Sequence, residues 1–412
     1  MKIDAKILSY ISSEVGDAFY ILDTKRFENN YHELLDAFRK YYEKTEISYS
    51  YKTNYIPNFC QIVNRLGGYA EVVSDMEMNI AKNLEVPYEN IIFNGPYKKE
   101  EAVEELIINN GIINLDSLYD FNIIKKIMKK YPNKKFKIGL RCNFDIDDGI
   151  ISRFGFDVNE NDFHYVMDEI NERDDLILSG LHIHFATRSL KKWPNKIEGL
   201  LRLIDKYKLY QLEYISIGGG MFGKMKDELK CQFSDDIPSY EDYAEVIAKN
   251  IRDFYSANKV KEIPILFLEP GSALVGDCMK FIAKVLSIKI VRGKEIATLL
   301  GSIYNINPTL NTKNPPIEII RKEENSKAVF FANDMDFGGY TCIESDYMYK
   351  HFKGEIAVND YVVFDNVGSY SIVLKPPFIL PNFPIIEIVA DGYKIVKDEE
   401  KFEDLFKTYK FI

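Results

Sequence analysis

From about residue 45 to 270, short apolar runs alternate with amphipathic or charged stretches. The runs are "ISYSYKT", "YAEVV", "IIFNG", "IINLDS", "FKIGLRC", "SGLHIHF", "YISIGGG" and "ILFLEP". They are short, rich in β-branched and aromatic residues, and bounded by turn formers, so they read as strands. Between them, stretches such as "NFCQIVNRL", "EEAVEELIINN" and "IEGLLRLIDKY" repeat their apolar residues at helical spacing. Strands alternating with helices predict a parallel sheet, and eight such units predict an α/β fold closed as a (β/α)8 TIM barrel. Beyond about residue 280 the texture changes: "MKFIAKVLSIKIV", "KAVFFAND", "DYVVFDNV" and "SYSIVL" read as strands joined by Pro-rich loops such as "KPPFILPNFP". The expected organisation is a barrel over residues 31–279 and a β-rich domain over 280–412.

A barrel builds its active site where its strands end. Lys52 closes the first run, Glu71 and Ser74 lie on or after the second, and Asn94, Asp116 and Arg141 close the next three. His182 and His184 share the sixth, Gly218, Gly219 and Gly220 follow the seventh, and Glu269 closes the eighth. Each has a plain structural reading. Lys52 could sit in an ion pair, or carry a Schiff base if its amine is kept neutral. The period-two spacing of "HIH" puts both rings on one face, as in a metal pair, but the other histidines fall at no strand end, so no metal is expected. A stacked ring or a packed core histidine are the competing uses. The glycine run could be a tight turn or a phosphate cradle of bare backbone N–H groups. Glu269, at the end of an apolar strand, needs a cationic partner, either a neighbouring arginine or a protonated pyridine nitrogen.

Composition narrows the classes. A formal net charge of −10 argues against nucleic-acid and anionic-membrane partners. Five scattered cysteines without a CxxC fit a reducing compartment. The N-terminus lacks a signal peptide's apolar core and no apolar run reaches spanning length, so a cytoplasmic protein is expected.

Taken together, a strand-end lysine, a stacking ring, a glycine phosphate loop and a pyridinium-facing acid suit pyridoxal 5′-phosphate. The order of these motifs resembles the fold-type III pyridoxal-phosphate decarboxylases, the group of diaminopimelate, ornithine and arginine decarboxylases with the alanine racemase-like barrel. "YSYKTN", "YAEVVSDMEM", "INLDS", "ISRFGF", "GLHIHFAT", "IGGG", "EPG", "GGYTCIESD" and "GSY" carry the resemblance across most of the chain. It implies that Lys52 binds the cofactor covalently, that His184 stacks on its ring and that Glu269 holds its nitrogen. Gly218 to Gly220, Thr187 and Tyr370 are implied to hold the phosphate, with Glu71, Ser74, Arg141, Gly271 and Ser272 completing the cofactor pocket. Cys342 is implied to reach the partner's active site in a homodimer with composite sites, and residues 1–30 to pack with the C-terminal domain. The implied activity is decarboxylation of an amino acid or amino-acid conjugate, with Cys342 or Lys52 returning the proton. A racemase on the same fold and a non-catalytic cofactor-binding homologue are the alternatives; Glu269 opposes the first, and Lys52 with Cys342 the second.

Departures from the family pattern gather at the substrate's far end. Ser272 replaces the arginine of "EPGR", and Ile343 follows Cys342 with the acid displaced to Glu344. Asn307 and Asn311 stand where diaminopimelate enzymes carry arginine and tyrosine, and Leu300 where ornithine enzymes carry an acid. Asn307, Asn311, Glu344 and Asp346 are therefore the expected substrate contacts in an altered pocket.

Overall fold

The structure, a computed structural model, describes residues 5–309, 312–321, 329–390 and 392–411. The chain forms two compact units: one of residues 28–223 and 237–273, the other of residues up to 27, 224–236 and 274 onward.

The strand β1 (Ala18–Leu22) belongs to the second unit. The first unit holds β2 (Thr45–Ser50), β3 (Tyr69–Val72), β4 (Ile91–Phe93), β5 (Ile112–Leu115), β6 (Phe136–Asn143), β7 (Phe156–Asp157), β8 (Leu176–His182), β9 (Tyr214–Ser216) and β10 (Ile265–Leu268). Eight of these close a parallel barrel in the order β2-β3-β4-β5-β6-β8-β9-β10, with β10 returning to β2. The two-residue β7 only extends the end of β6. Helices alternate with the strands as the apolar spacing predicts. Local signals set their starts: Pro57 opens the helix Pro57–Arg65, and Ser239 with Asp242 forms a capping box on Tyr240–Ala257.

Inside the barrel, Tyr214 packs with Ile92 and Phe267. Its ring fits because two neighbouring strands carry glycine there. A Cβ on Gly180 would stand 2.1 Å from the Tyr214 ring, and one on Gly139 would stand 2.0 Å from its hydroxyl.

The second unit is mostly sheet: β11 (Met279–Val291), β12 (Lys294–Leu299), β13 (Ile317–Ile320), β14 (Phe330–Gly338), β15 (Tyr347–Ile356), β16 (Tyr361–Phe364), β17 (Ile385–Val389) and β18 (Gly392–Lys397). The N-terminal β1 lies between β11, antiparallel, and β17, parallel. Leu8, Ile11, Phe19 and Ile21 pack there against Ile282, Tyr361 and Ile386.

Two sequence expectations change. Residues 224–236, read as barrel, group with the sheet unit, where Lys226 pairs with Asp365 at 3.0 Å and Gln232 Nε2 donates to the Asn314 carbonyl at 2.9 Å. "SYSIVL" is no strand: the chain turns, with Tyr370 at φ +63° and the Leu374 N–H donating to its carbonyl at 3.1 Å. No helix among the described residues is long and apolar enough to cross a membrane.

Candidate active site

The carboxyl ends of the barrel strands carry one connected polar network. β2 stops at Ser50, and the chain tightens into a 3-10 turn over Tyr51–Thr53 that presents Lys52. The Lys52 amine donates to Ser50 Oγ at 2.7 Å and pairs with Glu71, to which the Ser50 hydroxyl also donates. Glu71 lies on β3 and is fully buried. Asn94, just past β4, bridges the site: its Nδ2 donates to Glu71 Oε1 at 3.1 Å and to Glu269 Oε1 at 3.0 Å. Asn114 Nδ2 on β5 donates to Asn94 Oδ1 at 2.8 Å, and the Tyr214 hydroxyl donates to Asn114 Oδ1 at 2.8 Å. This chain of donors fixes which way each amide points.

Glu269 follows β10 directly and is buried. Ser216 Oγ donates to its Oε1 at 2.7 Å, and His182 Nε2 lies 3.1 Å from its Oε2. Burial alone would raise this carboxyl. The charges of His182 and Lys52 and the hydrogen bonds from His182 and Ser216 outweigh burial and hold it well below the usual carboxylate range. Glu269 is therefore an anion, and its partner within the chain is a histidine rather than an arginine. His182 Nδ1 is buried and finds no hydrogen-bond partner among the described residues.

His184 lies two residues past β8. Its Nδ1 accepts from the Gly219 N–H at 3.0 Å, which leaves the ring proton on Nε2. Burial, with the nearby Lys52 and Arg141 charges, pushes its imidazole well below the ordinary value, so the ring is neutral. Gly218 has φ +67° and Gly220 φ +80°, a backbone that favours glycine. A Cβ on Gly218 would meet His184 Nδ1 at 2.6 Å, and one on Gly219 the Glu269 carbonyl at 2.6 Å. Arg141 on β6 pairs with Asp116 at 3.1 Å and lies over the Phe154 ring at 4.6 Å. Gly271 closes against Thr53, where a Cβ would stand 2.0 Å from its hydroxyl oxygen. The Ser272 carbonyl lies against Gly223. The Thr187 hydroxyl is half-buried and donates to Asp148.

Two expected ligands also hold the backbone. Ser74 caps the helix Asp75–Asn83, its oxygen accepting the Glu77 N–H at 3.2 Å. Asp346, expected at the substrate, braces its own turn. Its carboxylate accepts from Ile303 N–H at 2.7 Å, Ser302 Oγ at 3.1 Å and Thr341 Oγ1 at 2.6 Å. In the sheet unit, Cys342 and Glu344 are exposed, and Asn307 is half-buried, accepting from Thr309 Oγ1 at 2.8 Å. Asn311 lies outside the described residues. Ser50, Asn114, Ser216 and Tyr214 were not singled out from sequence, although each is a polar residue on a short buried strand. The Asp334, Asp336 and His351 ligand atoms lie within 4.8 Å of one another, but the Lys294 amine already holds the two carboxylates at 3.1 and 3.2 Å.

These barrel residues fit a pyridoxal phosphate. The site offers a tethered amine, a buried anion for a ring nitrogen, a neutral ring locked in place, and a glycine turn that carries no side chains, its Gly218 and Gly219 N–H groups donating to Ser216 Oγ at 3.3 Å and His184 Nδ1 at 3.0 Å. Comparison with known proteins agrees. Residues 28–276 match the family described as pyridoxal-dependent decarboxylase, pyridoxal binding domain. The chain is 23% identical to the diaminopimelate decarboxylase of Aquifex aeolicus, over 97% of this chain and 93% of that protein. It is also 23% identical to the L-glutamyl-(BtrI acyl-carrier protein) decarboxylase of Niallia circulans, over 99% and 97%. Its fold matches the crystal structure of a diaminopimelate decarboxylase from M. jannaschii with a TM-score of 0.85 at 20% identity, covering 98% of this chain and 94% of that one. Since the family match runs through the whole barrel, the chain belongs to the fold-type III pyridoxal-phosphate decarboxylases and is a pyridoxal-phosphate-dependent carboxy-lyase.

Proposed function

We propose that this carboxy-lyase acts on an amino acid or amino-acid conjugate whose far end is not recognised by charge. The observation that carries the chemical part is the continuous network from Lys52 through Glu71 and Asn94 to Glu269 and His182. When bound, pyridoxal phosphate supplies the electron sink that stabilises the carbanion left by loss of CO2. Lys52 would hold the cofactor covalently, with Ser50 and Glu71 steadying its amine at the strand end. Glu269, kept anionic, would favour a proton on the ring nitrogen. His184, neutral and pinned by the Gly219 N–H, would stack on the ring. Gly218, Gly219, Gly220 and Thr187 would hold the phosphate, joined by Tyr370, whose left-handed backbone is unusual for a bulky residue. Lys52 or Cys342 would return the proton to the carbon.

The specificity part rests on what is absent at the far end. A distal carboxylate is held best by an arginine fork, and a distal ammonium by carboxylates. Ser272 and Asn307 offer neutral hydrogen bonds, Leu300 and Ile343 are apolar, and Asp346 is committed to its own turn. Among these described residues, only Glu344 is left as a charge. The Niallia circulans relative, by its name, decarboxylates a glutamyl group carried on an acyl-carrier protein, which lends weight to a conjugate. The exposure of Cys342 fits a loop completed by a second subunit, so we read the active sites of a homodimer as composite. CO2 release should be measured across diaminopimelate, ornithine, lysine, arginine and carrier-linked or amidated amino acids. Release is expected from a neutral-ended or conjugated substrate; efficient turnover of diaminopimelate or ornithine would overturn the pocket reading.

A further inference from the structure

Beneath the glycine turn lies a lysine that the mechanism above does not use. Lys196 stands in the first turn of the helix Trp193–Tyr207 and is 1% exposed. Its amine donates to the Thr187 carbonyl at 2.5 Å, reaches toward that of Phe185 at 3.5 Å, and lies over the Trp193 ring at 4.2 Å. It would stand 3.7 Å from a Cβ placed on Gly220. Among the described residues no carboxylate lies within ion-pair distance of it. The nearest acid to act on it, Asp148, is engaged with the Thr187 hydroxyl. Burial lowers the Lys196 ammonium to about 8, partly opposed by Asp148.

A buried ammonium whose hydrogen-bond partners are carbonyls lacks a counter-ion, and such a group is costly to keep. The barrel's cradle has the opposite shortage: Gly218, Gly219, Gly220 and Thr187 are all neutral, while a phosphate brings one to two negative charges. We propose that Lys196 is the counter-charge of the cofactor phosphate, a positioning residue that acts through the Thr187 and Gly220 backbone from beneath the cradle. The inference rests on the reading that this turn holds the phosphate.

The full chain, resolved of cofactor, should be titrated with pyridoxal phosphate and with phosphate-free pyridoxal, followed by absorbance and tryptophan fluorescence. Lys196→Met is expected to weaken pyridoxal phosphate by about tenfold or more while leaving pyridoxal within about twofold, because only the first carries the charge. Lys196→Arg should recover most of the loss. Where Lys196→Met does not fold, as judged by circular dichroism, Lys196→Gln takes its place in the same comparison. Equal weakening of both ligands would make Lys196 merely structural and overturn the proposal, as would unchanged pyridoxal phosphate affinity in a folded variant. If the wild type itself held pyridoxal as tightly as pyridoxal phosphate, the cradle reading would fail instead.

Discussion

The strand ends of the barrel and the Thr341–Glu344 loop of the sheet unit are built on opposite plans. At the strand ends Glu71, Asn94, Asn114, Ser216 and Glu269 are buried, and each is held by at least one other member. In the loop, Cys342 and Glu344 are exposed, and no described residue bonds to either side chain. A buried polar network is costly unless every member is satisfied, so it tolerates little change. An exposed loop can change its side chains at small cost to stability. The contrast leaves the strand-end network little room for substitution and the loop a great deal.

The sharpest way to break this contrast is to separate the two regions onto different subunits. Lys52→Ala and Cys342→Ala should each lose on the order of a thousandfold in turnover, as expected when a nucleophile or proton donor is removed. If sites are composite, mixing the two variants restores about a quarter of wild-type activity, since half of the dimers pair unlike chains and each carries one intact site. No recovery would place Cys342 of the partner subunit outside the site. Within the barrel, Glu269→Gln should retain cofactor yet lose about a hundredfold or more in kcat, because a neutral partner no longer favours the protonated ring. Unchanged CO2 release would remove Glu269 from the chemistry.

Asn94→Ala tests whether the network works as a unit. It takes the shared donor from both carboxylates and should cost about 1–3 kcal/mol of stability with a roughly tenfold fall in kcat. A change in Tm with normal kcat would confine Asn94 to a structural role. The smallest effect concerns Glu77, behind the network. Burial raises its carboxyl to about 7, with the Val73 N–H opposing and Glu71 reinforcing. An acid with a folded pKa above its unfolded value destabilises the fold progressively as pH rises between the two, here from about 4.5 to 7. Glu77→Gln should therefore be little changed near pH 4.5 and become progressively more stable than wild type as pH rises to 7, read as Tm against pH. An equal Tm difference at both pH values would contradict it.

Much of the barrel site was legible because its residues sit in short motifs at strand ends. Lys52, the glycine turn and Glu269 could be read that way, and the positions of Asn94, Asp116 and His182 followed from strand order. The connectors were harder. Asn114 and Ser216 are single polar residues inside apolar runs, and only the closed barrel turns them toward a common centre. Ser74 and Asp346 have structural roles that the sequence did not show, because Ser and Asp that cap backbone turns look like ligands in sequence. The grouping of residues 224–236 with the sheet unit depends on contacts with Asn314 and Asp365, which no local pattern announces.

Lys52 is expected to be the amine through which this chain holds its cofactor. The direct measurement is borohydride reduction of the holoenzyme followed by peptide mapping. Reduction is expected to fix the cofactor on Lys52 alone. Lys196 and Lys375 are the lysines to watch, since burial lowers their ammonium groups to about 8 and about 7. Cofactor trapped on either of those, with Lys52 unmodified, would contradict the account.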